Sequence, residues 1–165
     1  MNDEKLTILK FPDPRLRTVA KRVTKFDKSL EMLAKAMLKL MYKENGIGLA
    51  ASQVDRHIRL IAMDLSEDRN EPMFFVNPEY KIIDKHSLDS FEEGCLSVPG
   101  FNETITRPDK IELSWQDLQG NHHNMEPSGL LTICIQHEID HLEGKLMVDY
   151  ISPIKRDRIR KKLSK

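Results

Sequence analysis

The sequence predicts an α+β fold in which short antiparallel or mixed β-sheets pack around a buried central helix, with an N-terminal helix and a C-terminal basic helix. Three observations carry this. Apolar residues recur at helical spacing between Asp27 and Lys43. Short β-type segments separated by turn residues fill the region from Ile58 to Gln116. A second helical segment, from Ser128 to Gly144, is apolar on more than one side and yet contains His137-Glu138-Ile139-Asp140-His141.

In the first helix Asp27 is the expected N-cap, Leu30, Leu33, Ala34, Met37 and Met41 form the apolar stripe, and Asn45-Gly46 ends it. Before it, Phe11-Pro12-Asp13-Pro14 discourages helix, and the first 26 residues show little chemistry. After it, Gly46-Ile47-Gly48-Leu49-Ala50-Ala51-Ser52-Gln53 is a run of small residues that lets another backbone or a ligand approach closely. It lacks the third glycine and the preceding strand of a dinucleotide fingerprint.

Strands are expected over Ile58–Asp64 and Met73–Val76, with Asn77-Pro78 as a turn, and again over Lys81–Asp84, Ile105–Arg107 and Lys110–Gln116. Asp117-Leu118-Gln119-Gly120 has the composition of a hairpin connection. His122 and His123 follow it as exposed residues, because adjacent strand positions face opposite sides and do not share a metal. Ser128 is the expected N-cap of the second helix and Gly144 its end; beyond Ser152-Pro153 the chain has the pattern of a final helix.

Composition sets the remaining bounds. A chain of 165 residues, 39% hydrophobic and 32% charged, is the size of one soluble globular domain. No apolar run reaches the length of a secretory or membrane segment, so a cytoplasmic protein with no membrane contact is expected. The two cysteines, Cys95 and Cys134, do not make a disulfide framework and are read as buried, catalytic or metal-bound. Charge balances at 26 against 26, but seven Lys or Arg and one Asp lie between Lys155 and Lys165. The expected organisation is one catalytic domain over residues 1–154 and a basic helical tail over 155–165 belonging to the same domain.

The pattern His-Glu-x-x-His would arise by chance in a chain of this composition only roughly 0.02 times. A lone histidine is most often a packed or surface residue. Two of them four apart on a helix point the same way, and Glu138 then lies beside a shared metal where it can take a proton from a bound water. Such a site wants three protein ligands and one open position. The metzincin continuation fails because the expected third histidine position is Met147, and a thermolysin-like downstream glutamate fails because only Glu143 follows His141. Cys134 and His141 are separated by roughly 10 Å along a helix axis, against metal bonds of about 2.0–2.3 Å. Cys134 is therefore better placed as pocket lining, and Cys95, after Gly94, is the stronger candidate for the third ligand.

Together three segments resemble the peptide deformylase family: Gly46 to Gln53, Glu93-Gly94-Cys95-Leu96-Ser97, and Gln136-His137-Glu138-Ile139-Asp140-His141-Leu142-Glu143-Gly144. The likeness runs from about Leu6 into the basic tail. It implies that Cys95, His137 and His141 bind the metal, that Glu138 is the general acid/base, and that the Gln53 side-chain amide and the Leu96 backbone N–H stabilise the oxyanion. The implied substrate is a nascent N-formyl-methionyl polypeptide, from which a metal-activated water releases formate. A cleft for the methionine side chain is expected from Ile47, Leu96, Ile133 and Cys134, with the backbone near Gly48 pairing to the peptide as an added strand. The resemblance implies Fe(II), whereas ligand softness alone favours zinc, and nickel or cobalt also suit the set. Asn102 departs from the longer, often basic residue expected there. A metallopeptidase cleaving internal peptide bonds is the alternative activity, and a ribosome contact through residues 155–165 is an expected further partnership.

Overall fold

The computed structural model describes residues 5–165, so the first four residues of the expected 1–154 domain, Met1 to Glu4, lie outside it. Helix α1 (Lys28–Lys43) starts where Asp27 accepts a hydrogen bond from the Leu30 N–H at 3.1 Å, and its five predicted stripe residues are all buried. A larger sheet has the order β1 (Gly48–Ala50), β2 (Leu60–Met63), β3 (Met73–Ile82), β6 (Ile111–Gln116), β7 (His122–Met125), antiparallel throughout. A separate two-stranded sheet pairs β4 (Leu88–Gly94) with β5 (Asn102–Pro108). Helix α2 (Leu130–Leu142) and helix α3 (Pro153–Leu163) complete the α+β arrangement.

Strand β2 shows how the layers form. Its side chains alternate, so Leu60 and Ala62 enter the core beneath α1 with Leu33, Met37 and Met41. Ile61 and Met63 point the other way, into a core shared with Ile135, Ile139 and Leu142 of α2. The larger sheet therefore lies between the two helices. A third apolar cluster joins Leu9, Phe11 and Leu16 to Val98, Ile105, Val148 and Ile159, which anchors α3 to the body.

Several local expectations need correction. Asn77-Pro78 is not a turn: β3 runs through it, with a register shift between Val76 and Glu79. Asn77 takes a positive φ of 51°, and its side chain replaces the missing ladder bonds. Its oxygen accepts from the Val23 N–H at 2.8 Å, while its nitrogen donates to the Val23 carbonyl at 2.9 Å and the Gln116 side chain at 2.8 Å. Ser128 does not cap α2; Gly129 stands at the cap with φ 62° and no side-chain bond, a conformation suited to glycine. The helix ends at Leu142, two residues before Gly144. The strand over Leu88–Gly94 was not among those expected, because its alternation places mostly polar residues on both faces. His122 and His123 are exposed as expected.

Candidate active site

Residues four apart on α2 put His137 and His141 one above the other, with ring centroids 5.0 Å apart and their Nε2 atoms 3.3 Å apart. Strand β4 ends at Gly94 and delivers Cys95 to the same point, its Sγ 3.3 Å from His141 Nε2. One donor atom from each of the three residues lies within 4.8 Å of the others. Tetrahedral bonds of about 2.0–2.3 Å require donors about 3.3–3.8 Å apart, so this donor set fits one metal ion in size and in chemistry. Cys134 is not part of the cluster.

Protonation fits as well. Burial holds the His141 imidazole well below its ordinary pKa, in the neutral form that offers a lone pair. Burial acts the same way on His137, but the Cys95 sulfur and the Glu93 carboxylate outweigh it and favour a proton there. A cation held by His137 and Cys95 would take that proton's place, which would make binding a competition with protons.

Beside the cluster, Glu138 is buried and its Oε1 has no hydrogen-bond partner. Burial pushes its carboxyl up to about 7. Gly48 makes room for it: a Cβ there would sit 2.6 Å from Glu138 Oε2. Gln53 is fixed from two sides, its Oε1 accepting from the Ala50 N–H at 2.9 Å and its Nε2 donating to Ser97 Oγ at 3.0 Å. The second N–H of that amide faces Cys95 Sγ, 3.7 Å away.

Behind His137 is a network that sequence reasoning missed. His137 Nδ1 is 2.9 Å from Glu93 Oε1, and Arg107 grips Glu93 through Nε at 2.6 Å and Nη2 at 2.9 Å. The same guanidinium donates through Nη1 to Asp140 at 2.9 Å, and Tyr150 donates its hydroxyl to Asp140 at 2.7 Å. Burial would raise the Glu93 carboxyl, but hydrogen bonds from Arg107 and His137 bring it below its ordinary pKa. The signal was available: Asp140, an acidic residue on a deeply buried helix, demands a charge or hydrogen-bond partner. The N-terminal segment was also missed. Leu9 N–H donates to the Gln53 carbonyl at 2.7 Å and Phe11 N–H to the Ser97 carbonyl at 2.8 Å, bracing both backbones.

The cluster opens into a cavity of about 570 Å³, and the five predicted lining residues, Ile47, Gly48, Leu96, Ile133 and Cys134, all border it. Burial pushes the Cys134 thiol up to about 12, so it presents a neutral, apolar wall. Two strand edges unpaired among the described residues meet there: β1 is the end strand of its sheet, and β4 pairs with β5 on one side. Asn102 lies at the rim.

A family model described as polypeptide deformylase matches residues 5–157 of this chain. The chain is 55% identical over 160 residues to the peptide deformylase of Cellvibrio japonicus, covering 97% of this chain and 94% of that protein. Among solved structures, a peptide deformylase from Legionella pneumophila superposes with a TM-score of 0.89 at 45% identity, covering 96% of this chain and 93% of the other. The Ehrlichia chaffeensis peptide deformylase in complex with actinonin superposes with the same TM-score, 0.89, at 36% identity, covering 96% and 95%.

Proposed function

The chain belongs to the polypeptide deformylase family, and from that premise we propose that Cys95, His137 and His141 hold its metal ion while Glu138 moves the proton. The protein is a metal-dependent hydrolase that removes the N-formyl group of nascent peptides. The observation that carries the residue assignment is the meeting of three donor atoms beside a buried carboxylate oxygen that has no partner. In this reading α2 is the central helix around which both sheets are organised, residues 1–154 form the catalytic domain and 155–165 its basic helical tail.

A divalent ion held by Cys95, His137 and His141 would supply Lewis-acid chemistry, polarising a carbonyl and making water acidic near neutral pH. Glu138 accepts the proton of the attacking water and returns it to the departing amine as the C–N bond breaks, leaving formate and a free amino terminus. The Gln53 Nε2–H that faces the cluster and the Leu96 backbone N–H donate to the formyl oxygen as charge grows there. Ser97 holds the other Gln53 N–H, so the amide does not reorganise during the reaction. The methionine side chain occupies the wall of Ile47, Leu96, Ile133 and Cys134, and the peptide main chain lies between the free edges of β1 at Gly48 and β4. Main-chain pairing recognises most sequences alike, as general amino-terminal processing needs.

We assign Fe(II) as the ion; zinc, nickel and cobalt suit the same donors. The site of action is the cytoplasm, and no helix among the described residues is long and apolar enough to cross a membrane. Helix α3 presents exposed Arg158, Lys161 and Lys162 on one side while Ile159 anchors it, a basic face for ribosomal RNA. Reversing these three charges should weaken ribosome binding and flatten its salt dependence; unchanged binding overturns the assignment.

The functional test is formate release from formyl-Met-Ala-Ser under anaerobic conditions, with metal analysis of the same sample and the unformylated peptide as control. Formate release with the control peptide intact supports the reading. Cleavage of the control with the formyl group retained would restore the metallopeptidase alternative, which the family membership does not favour.

A further inference from the structure

The cavity wall at Gly46–Gly48 is fastened from behind by a cluster with no place in the chemistry above. Gly46 N–H donates to the Met41 carbonyl at 2.9 Å, Ile47 offers its carbonyl to the Asp64 N–H at 2.9 Å, and the Arg69 guanidinium donates to the Gly46 carbonyl. The Gly46 N–H and the carbonyls of Gly46 and Ile47 are thus engaged, which holds the neighbouring main chain at Gly48 in one register. Arg69 is itself held. Its Nη1 donates to the Asp64 carbonyl at 3.2 Å, and its guanidinium lies 5.0 Å from the centroid of the Tyr42 ring.

Asp64 is the hub. Its fully buried carboxylate accepts from the Tyr42 hydroxyl, from Ser66 N–H at 2.9 Å and Oγ at 2.5 Å, and from Glu71 N–H at 3.2 Å. These bonds fold the loop from Asp64 to Glu71 back on itself and place Arg69, in a left-handed conformation with φ 58°, against the wall. A non-glycine residue in that region carries backbone strain, which the four contacts on Asp64 offset. The loop ends in one guanidinium aimed at one carbonyl of the wall.

We propose that Arg69, set by Asp64 and Tyr42, is a positioning residue for substrate: it preorganises the Gly46–Gly48 wall that receives the peptide main chain. The inference rests on the deformylase reading of the cavity. It acts on binding of the extended peptide and not on the metal or on Glu138, since neither Arg69 nor Asp64 borders the cavity.

The test compares wild type, Arg69→Ala, Arg69→Lys and Tyr42→Phe, all loaded with metal, on formyl-Met-Ala-Ser and on the short substrate formyl-Met amide. Arg69→Ala should raise KM for the tripeptide about ten-fold, as loss of one charged hydrogen bond at a binding wall predicts, with kcat changed less than about two-fold and metal content unchanged. The KM increase for formyl-Met amide should be clearly smaller, because that substrate has less main chain to pair. Arg69→Lys keeps a charge but not the planar fork, and should fall between wild type and Arg69→Ala. Tyr42→Phe keeps the ring beneath the guanidinium and removes only the hydroxyl, so it should give a KM increase of about three-fold in the same substrate order. If Arg69→Ala does not fold, Arg69→Lys and Tyr42→Phe decide the question by that order. Unchanged KM, an equal change for both substrates, or a loss confined to kcat or metal content overturns the proposal. Failure of wild type itself to release formate would overturn the deformylase reading instead.

Discussion

The two sides of His137 differ in one respect. On the cavity side, Cys95, His141 and Glu138 crowd together with a polar atom left over: Glu138 Oε1 is buried and has no partner among the described residues. On the far side, Glu93, Arg107, Asp140 and Tyr150 form a closed set in which each charge meets its counterpart within 2.6–2.9 Å. A satisfied buried network holds geometry; an unsatisfied one stores the capacity to bind an ion or move a proton. On the proposed assignment, the difference separates the residues that react from those that aim them.

The largest effect should come from breaking the cavity side. Cys95→Ala removes the proposed third ligand and should abolish bound metal and lower formate release at least about 100-fold, read by metal analysis and turnover on one sample. Full activity with full metal content would move the third ligand elsewhere. Breaking the far side should instead cost the fold. Arg107→Met leaves Glu93 and Asp140 buried without their cation, and should destabilise the protein by about 3–5 kcal/mol in chemical denaturation. A loss of activity with stability intact would mean that the network belongs to the chemistry.

The same contrast has a pH signature. The Glu138 carboxyl, ordinarily near 4.5, is raised by burial to about 7 in the folded state. A raised carboxyl holds its proton in the folded protein where the unfolded chain has released it, so the metal-free protein should lose stability as pH rises from about 4.5 to about 7. Glu138→Gln should flatten that slope in thermal melts at pH 5 and pH 7; an unchanged slope would assign it to another group. The smallest effect on turnover should follow Glu93→Gln, which keeps a hydrogen bond to His137, removes the charge behind it and costs stability through its lost bond to Arg107. Metal affinity should fall about ten-fold by competition titration, with turnover of the loaded enzyme nearly unchanged.

The two sides also differed in how far they could be read from sequence. His137, Glu138 and His141 were legible because helical periodicity fixes their relation locally, and α1 was legible to the residue for the same reason. Cys95, Gln53 and the pocket residues came from the resemblance and from elimination, since only the fold brings Gly46–Gln53 and Glu93–Ser97 to α2. Arg107 was hidden because its role depends on the register that sets Glu93 opposite Glu103 and Arg107 opposite Asp89, two strands whose alternation is polar on both faces. The Asn77 bulge was hidden too: Asn-Pro is a turn signal unless a distant backbone, here Val23, supplies the missing partners.

The most direct measurement is formate release from formyl-Met-Ala-Ser by Glu138→Gln, with metal counted in the same anaerobic sample. One bound ion per chain, a folded protein, and turnover lowered by about 10²–10⁴-fold, the contribution of a positioned acid/base, are expected. Turnover close to wild type with the ion in place would contradict the role assigned to Glu138, and loss of the ion would place Glu138 among the ligands.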